Sequence, residues 1–497
     1  MNKQLMHLAV VSVSLLAVLV IATTYWQSWA GASLANRKDN ATQLVAQLQI
    51  ARGKILASNG APLAWSTPHK QKGLTTYSRH YPANGLFSQI VGYSTSGDNQ
   101  VGLEQSLNDY LTGANTNLSN TFSQELDRLG GQTVHGDNVY LTVKPAAQAL
   151  ALHDLAGRCG AVVAMNPKTG AVYVMASSPT YNENLISQPG GYTKIGKNKG
   201  TCGDASALYN NATQGLYPPG STFKMVTASA ALDTGKVKPT SGFYDPGYCT
   251  EYGKRVYNSS APDSPGGHET FGHVDFAQAF ENSINAVFCN VGKQIGAASI
   301  LDYAKRYGFY SIPPLDTPPN TINPSGLYNK GKLWFPKNPA TAVDPGVLAF
   351  GQERMLVTPL QMALVGATIA DGGTEPRPYL VQRVVAPDGS NVTTTAPHVL
   401  GRVIKPQTAA ELNSMMQLVI QGGTGTAAQI PGVEVAGKTG TAELGLGNLY
   451  DAWFVAFAPA NNPQVVVAVV VEKQPNGFGG SISAPIAKDI LQNLLHG

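Results

Sequence analysis

The chain is short of charge. Asp, Glu, Lys and Arg make up 13% of its 497 residues, about half the share found in an average soluble domain. Its 34 basic and 30 acidic residues leave a net charge of only +4. No long Lys/Arg block is present, so the electrostatic footprint of a nucleic-acid binder is missing and nucleic acid drops out as a partner. Cysteine is scarce as well. Cys159, Cys202, Cys249 and Cys289 show neither a C-x-x-C nor a Cys/His metal spacing, which leaves disulfides or buried free thiols. Cys202 and Cys249 stand in Gly-rich loop sequence and form the candidate bridge, whereas Cys289 sits inside an apolar helical pattern. The histidines, His153, His268, His273 and His398 among them, are scattered without an H-E-x-x-H, so no metal and no cofactor is assigned.

Glycine and proline are abundant, at 53 and 32 residues. With the low charge, they suit a loop-rich extracytoplasmic protein. The length exceeds what one hydrophobic core usually holds and predicts two folded domains plus a tether. That tether is legible at once. Leu8 to Tyr25 is uncharged and rich in Leu, Val, Ala and Ile, with Lys3 before it and Trp26 and Trp29 after it, long enough to span a bilayer. A cleaved signal peptide, drawing on the small residues of Ala30 to Ala35, and a buried core helix are the alternatives. The run outlasts an ordinary signal-peptide core and an aromatic pair follows it, which favours a single-pass anchor. With no basic cluster opposing Lys3, the body is expected outside the cytoplasm.

From about residue 31 to 145 the chain is polar with short apolar bursts, Gly53 to Ala64 and Leu86 to Tyr93, and reads as a small strand-containing module. A second domain is expected over 146–497. It opens with helical spacing over Gln148 to Leu155, then two β-rich runs, Gly160 to Asn166 and Ala171 to Ser177. The turn between them, Asn166-Pro167-Lys168-Thr169-Gly170, makes a hairpin. Val433 to Thr441, Ala452 to Ala458 and Gln464 to Glu472 are further strands, and Ser483 to Leu495 is a closing amphipathic helix. Two strands early, three late and helices between predict an α+β fold, a five-stranded antiparallel sheet covered by helices and assembled from both ends of the domain.

Within Tyr217-Pro218-Pro219-Gly220-Ser221-Thr222-Phe223-Lys224, the breakers precede an apolar helix and place Ser221 at or near its first turn. Residues three apart share a helix face, so the Lys224 amine can reach the Ser221 hydroxyl, and the helix start favours a developing anion. This is a nucleophile with its base. A Ser-x-x-Lys arises by chance about once or twice in such a length, so its weight comes from the elements that follow in order. Ser283-Ile284-Asn285 lies in the helical pattern of Phe280 to Val291, with a hydroxyl to relay a proton and an amide to hold a substrate. Ser106-Leu107-Asn108 matches the same spacing but precedes the nucleophile. Gly437-Lys438-Thr439-Gly440-Thr441-Ala442-Glu443 falls on an edge strand whose glycines let a ligand backbone approach. There Lys438 can bind a carboxylate and, by like-charge proximity, lower the pKa of Lys224. Lys168-Thr169-Gly170 is read as the hairpin turn, and Gly422-Gly423-Thr424-Gly425 as an ordinary loop, since no Lys-Ser/Thr pair closes it.

Ser-x-x-Lys, Ser-x-Asn and Lys-Thr-Gly, in that order, resemble the signature of the penicillin-binding protein and serine β-lactamase superfamily. Ala51-Arg52-Gly53-Lys54-Ile55-Leu56 with Asn59-Gly60-Ala61-Pro62-Leu63-Ala64 is similar to the first motif of class B penicillin-binding proteins. Gly102-Leu103-Glu104 through Leu111-Thr112-Gly113 is similar to their second. Gly351-Gln352, Val357-Thr358-Pro359-Leu360-Gln361, Trp453-Phe454 and Phe457-Ala458-Pro459 extend the likeness to the end of the chain, and the short N-terminal module resembles the penicillin-binding protein A group. The resemblance implies a membrane-anchored peptidoglycan D,D-transpeptidase. It makes residues 1–30 the cytoplasmic end and anchor, 31–145 a pedestal and 146–497 the catalytic domain.

By the same resemblance, Ser221 is the acylated nucleophile and Lys224 its base, and Ser283 and Asn285 flank the cleft. Lys438, Thr439, Gly440 and Thr441 form the substrate strand, and the N–H groups of Ser221 and Thr441 the oxyanion hole. The expected partners are D-Ala-D-Ala stem peptides, β-lactams, a SEDS-family glycan polymerase and other membrane cell-wall proteins. Ile284 stands where class A β-lactamases have Asp, and their Glu-x-x-Leu-Asn has no closer counterpart than Glu353-Arg354-Met355-Leu356-Val357, which argues against a β-lactamase. A D,D-carboxypeptidase would use the same site with water as acceptor. A non-catalytic receptor would have only Met1 to His7 inside the cell to signal with, and residues 31–145 are too few for a glycosyltransferase domain.

Overall fold

In the computed structural model, residues 2–26, 48–71, 74–95, 99–114, 135–203, 205–251, 253–258 and 269–496 are described. Trp29, Ala30 to Ala35 and His268 lie outside them. Helix α1, Asn2–Tyr25, is long and apolar enough to cross a membrane and is wholly unburied among the described residues, which removes the core-helix reading.

The N-terminal module centres on a six-stranded sheet. Strands β1 (Ile55–Leu56), β2 (Pro62–Gln71), β3 (Leu74–His80) and β4 (Asn138–Leu141) supply one part of it. After helix α2 (Pro145–Leu155) come the hairpin strands β5 (Gly160–Met165) and β6 (Val172–Ser178). Helices α3 (Lys224–Asp233), α4 (Asn285–Ile295) and α5 (Pro359–Ala370) follow. The chain then returns to the first module. Strands β7 (Val381–Val385) and β8 (Asn391–Thr394) complete its sheet in the order β8-β7-β4-β1-β2-β3. β7 pairs antiparallel with β4, Val384 opposite Val139.

Helix α6 (Pro406–Gln421) leads to strands β9 (Ala436–Glu443), β10 (Leu449–Ala458) and β11 (Val465–Pro475) and the closing helix α7 (Gly479–His496). They form the predicted five-stranded antiparallel sheet, ordered β9-β10-β11-β5-β6. The Val-rich run of β11 is buried on both faces because helices cover both sides of the sheet. α2 and α7 pack on one side. α5, capped by the Thr358 hydroxyl accepting from Gln361 N–H and apolar nearly all round, packs on the other, as expected of a helix with no solvent face. The Asn166–Gly170 turn is structural: Asn166 Oδ1 accepts from Lys168 N and Thr169 N, and Gly170 takes φ +84°.

The Cys202–Cys249 pairing is corrected. The bridges are Cys159–Cys202 and Cys249–Cys289. The apolar helical pattern around Cys289 left it out of the candidate bridge, but its face of α4 packs on the Tyr248–Glu251/Lys254–Tyr257 hairpin that carries Cys249. Tertiary packing, not loop composition, brought the sulfurs together.

Candidate active site

Ser221 lies in a single 3₁₀ turn, Gly220–Phe223, that runs into α3. Two glycines seat this turn on strand β9. Gly220 has φ +50°, and a Cβ there would stand 2.7 Å from Thr441 O; one on Gly440 would stand 2.8 Å from Thr222 Cγ2. Any side chain at either position would push the serine turn off the strand. Trp453 Nε1 donates to Pro218 O at 3.0 Å and fixes the approach from β10.

The segment carrying Ser283 and Asn285 departs from expectation. The continuous helix predicted over Phe280 to Val291 is broken into Phe276–Glu281 and α4, with Ser283 between them at φ +57°, a conformation disfavoured for a residue with Cβ. Asn258 braces the break. Its Oδ1 accepts from Ala286 N at 3.0 Å, while its Nδ2 donates to Asp245 Oδ2 at 2.8 Å and Glu269 O at 3.0 Å.

The left-handed turn directs Ser283 between two amines. Lys224 Nζ donates to Ser283 O (2.6 Å) and Asn285 Oδ1 (2.8 Å) and lies 3.3 Å from Ser283 Oγ. Lys438 Nζ reaches the same Oγ at 2.8 Å. Among the described residues, none of the hydrogen bonds of Lys224 goes to Ser221. Both lysines are wholly buried, and neither forms an ion pair among the described residues. What faces them besides these acceptors is aromatic: Phe288 lies 5.1 Å from the Lys224 amine and Phe280 5.5 Å from that of Lys438.

Burial without a counter-charge disfavours an ammonium. It holds Lys224 well below the ordinary lysine range, with Lys438 adding to the fall, and brings Lys438 to about 7. The like-charge effect expected from sequence is present but second to desolvation. A neutral Lys224 has two N–H groups for Ser283 O and Asn285 Oδ1, and a lone pair left for a proton from a hydroxyl.

Ser221, Ser283, Asn285, Thr439 and Thr441 line one cleft of about 550 Å³, with Lys224 and Lys438 behind its wall and Gly440 packed under the serine turn. Ser106-Leu107-Asn108 stays in the pedestal, where Asn108 Oδ1 accepts from Arg52. Glu353 pairs with Arg354 and does not line the cleft. Sequence reasoning missed Asn258, Glu269, Thr424 and the stacked Tyr450–Phe478 pair, all on the cleft wall. Only Thr424, flanked by glycines, carried a local signal.

A five-stranded sheet with a serine turn seated on its edge strand, and a lysine pair meeting at a second serine, is the transpeptidase fold of penicillin-binding proteins. A family described as the penicillin binding protein transpeptidase domain matches residues 160–492, and the penicillin binding protein A dimerisation domain matches residues 52–139. The chain belongs to the penicillin-binding protein transpeptidase family. It is 33% identical to the peptidoglycan D,D-transpeptidase PbpA of Mycolicibacterium smegmatis across 98% of both chains. The PbpA of Mycobacterium tuberculosis is 32% identical over the whole of both. The structure of penicillin-binding protein A from M. tuberculosis as a ceftriaxone acyl-enzyme complex superimposes with TM-score 0.79 at 30% identity, covering 90% of this chain and 99% of that one. The imipenem acyl-enzyme complex gives 0.78 at 31%.

Proposed function

We propose that the protein is a serine peptidoglycan D,D-transpeptidase that cross-links stem peptides in cell-wall synthesis and is acylated by β-lactams. The observation that carries this reading is the Ser283 hydroxyl held between two buried amines beside Ser221. Ser221 Oγ attacks the carbonyl of the D-Ala-D-Ala bond, and its proton passes to neutral Lys224. The N–H groups of Ser221 and Thr441 stabilise the oxyanion. Collapse expels D-Ala, whose nitrogen takes a proton delivered through Ser283, and leaves the acyl-enzyme. An amine of a neighbouring stem peptide then attacks the ester and gives up a proton to Lys224, which passes it to the departing Ser221 oxygen and is neutral again. Asn285 orients the amine of Lys224 and the donor amide, and Lys438 and Thr439 anchor the donor carboxylate. A β-lactam enters as the donor does, but its leaving group stays tethered.

In this reading residues 1–30 form the cytoplasmic end and anchor, 31–145 the pedestal and 146–497 the catalytic domain, which lends the strands of residues 381–394 to the pedestal sheet. The body is extracytoplasmic, and a SEDS-family polymerase supplies the glycan. The apolar α1 and the pedestal support an assembly at the membrane; co-purification from membranes tests the polymerase. The test of the chemistry is covalent labelling of the full chain in detergent by a fluorescent penicillin, followed over hours by intact mass. Long-lived label on the wild type, lost in Ser221→Ala, is expected. Rapid release of the label would make the protein a β-lactamase, and label surviving in Ser221→Ala would remove the assigned nucleophile.

A further inference from the structure

The Gly422-Gly423-Thr424-Gly425 segment, read from sequence as an ordinary loop, follows α6 and lies on the cleft wall. Its backbone is clamped from two sides. A Cβ on Gly423 would stand 2.5 Å from Glu281 O, and one on Gly480, at the start of α7, would stand 2.3 Å from Thr424 O. The loop therefore fits only with glycine on both sides of the contact, and it presents the Thr424 side chain to the open cleft. There Thr424 Oγ1 lies 2.6 Å from Thr439 Oγ1, while Thr439 itself is only 5% exposed.

A hydroxyl has one proton to give and lone pairs to accept with. The two threonines on the cleft side of β9 are held differently. Thr441 Oγ1 accepts from the backbone N–H of Gly479 at 3.3 Å, which leaves its proton free. Thr439 has Thr424 as its hydrogen-bond partner, so its proton is free only when Thr424 is the donor of that bond.

We propose that Thr424 is a positioning residue for the acyl donor: it donates to Thr439 Oγ1 and so commits the Thr439 proton to the donor's carboxylate. The inference rests on the reading that the donor carboxylate lies against Lys438 and Thr439. It adds a third side chain, from outside the strand, to that recognition. Charge in the ligand makes the pair directional, because a carboxylate over Thr439 accepts and cannot donate.

The experiment uses the full chain in detergent, as wild type, Thr424→Val and Thr424→Ser. It measures second-order acylation rate constants with benzylpenicillin and with its methyl ester, which lacks the anionic carboxylate. Thr424→Val leaves the Thr439 proton available but removes the bond that fixes and polarises its hydroxyl, so it is expected to slow benzylpenicillin about fivefold, the size of one neutral hydrogen bond, and to slow the ester less than about twofold. Thr424→Ser, which keeps the hydroxyl, is expected to return benzylpenicillin to within about twofold of wild type. Equal slowing of both compounds by valine would make Thr424 merely structural and overturn the proposal. No slowing, or a serine variant as slow as valine, would overturn it too. Failure of the underlying reading looks different: the wild type would then show no Ser221-dependent label with either compound, and the proposal would fall with it.

Discussion

Two buried clusters of charge are treated in opposite ways. In the pedestal, Glu104 is fully buried between Arg79, at 2.6 Å, and Arg52, at 2.9 Å. Burial alone would raise its pKa, but the two guanidinium groups hold it below the ordinary carboxylate value. In the cleft, Lys224 and Lys438 are as deeply buried and have each other, hydroxyl and amide oxygens, and the faces of two phenylalanines. Paired charge sets a shape; unpaired charge is left poised to move a proton. The class B motif residues Arg52 and Glu104 thus serve architecture, while the Ser-x-x-Lys and Lys-Thr-Gly residues carry the proposed chemistry.

Breaking the cleft side should have the largest effect. Lys224→Met removes the proposed base, and penicillin acylation, followed by stopped-flow or gel label, is expected to slow by roughly 10²–10⁴ with the fold intact. Breaking the pedestal side should do the reverse. Glu104→Ala strands two guanidinium groups and is expected to cost roughly 3–5 kcal/mol in urea unfolding, with acylation per folded molecule unchanged; a protein slowed but equally stable would contradict the comparison.

The comparison sharpens at Lys438. Lys438→Met replaces a buried amine by an apolar chain of similar length and is expected to stabilise the protein by a few kcal/mol, at most about 5, from 1.36 kcal/mol per unit over the fall from 10.5 to about 7, while abolishing activity. The sign follows from linkage. Below about 7 Lys438 is charged in both folded and unfolded chains, and the cost of burying that charge stands in full. Between there and its unfolded value the unfolded chain holds the extra proton, so wild-type stability rises with pH and the gain from methionine shrinks. A gain that grew with pH would reverse the assignment.

Activity should read the same group. Acylation by a carboxylate-bearing β-lactam is expected to fall as pH rises through about 7, and Lys438→Arg, which keeps its charge, should flatten that alkaline limb. The smallest effect is expected at the surface pair Arg306–Asp302, about half exposed on both sides: Arg306→Ala should change stability by less than about 0.5 kcal/mol.

Much of this was legible in the residues. The strands of the main sheet follow from period-two and Val-rich runs, and the three motifs converge because each sits where a breaker or a glycine places it. What was not legible depends on pairs distant in sequence. The left-handed Ser283 is not written in a segment with helical spacing; it is imposed by Asn258 and by the amines on either side. The disulfide partners were set by how α4 meets a hairpin, and Thr424 acquires its role only because Gly480 lets α7 press against it. The return of β7 to the pedestal sheet was equally hidden, since a short β-branched run does not name its neighbour.

That return has a consequence for biogenesis. β4 finds its partner β7 only after some 240 further residues have emerged, judging from Thr142 and Leu380, 238 positions apart yet hydrogen-bonded. In the proposed extracytoplasmic arrangement, a chain crossing the membrane from its N-terminus exposes an unfinished sheet edge for most of its translocation, and unfinished edges recruit other strands. A fragment ending near residue 145 should be retained by chaperones or aggregate rather than secrete as a free-standing pedestal. The chain is also committed to finish its first module late, so the pedestal and the catalytic domain mature together or not at all.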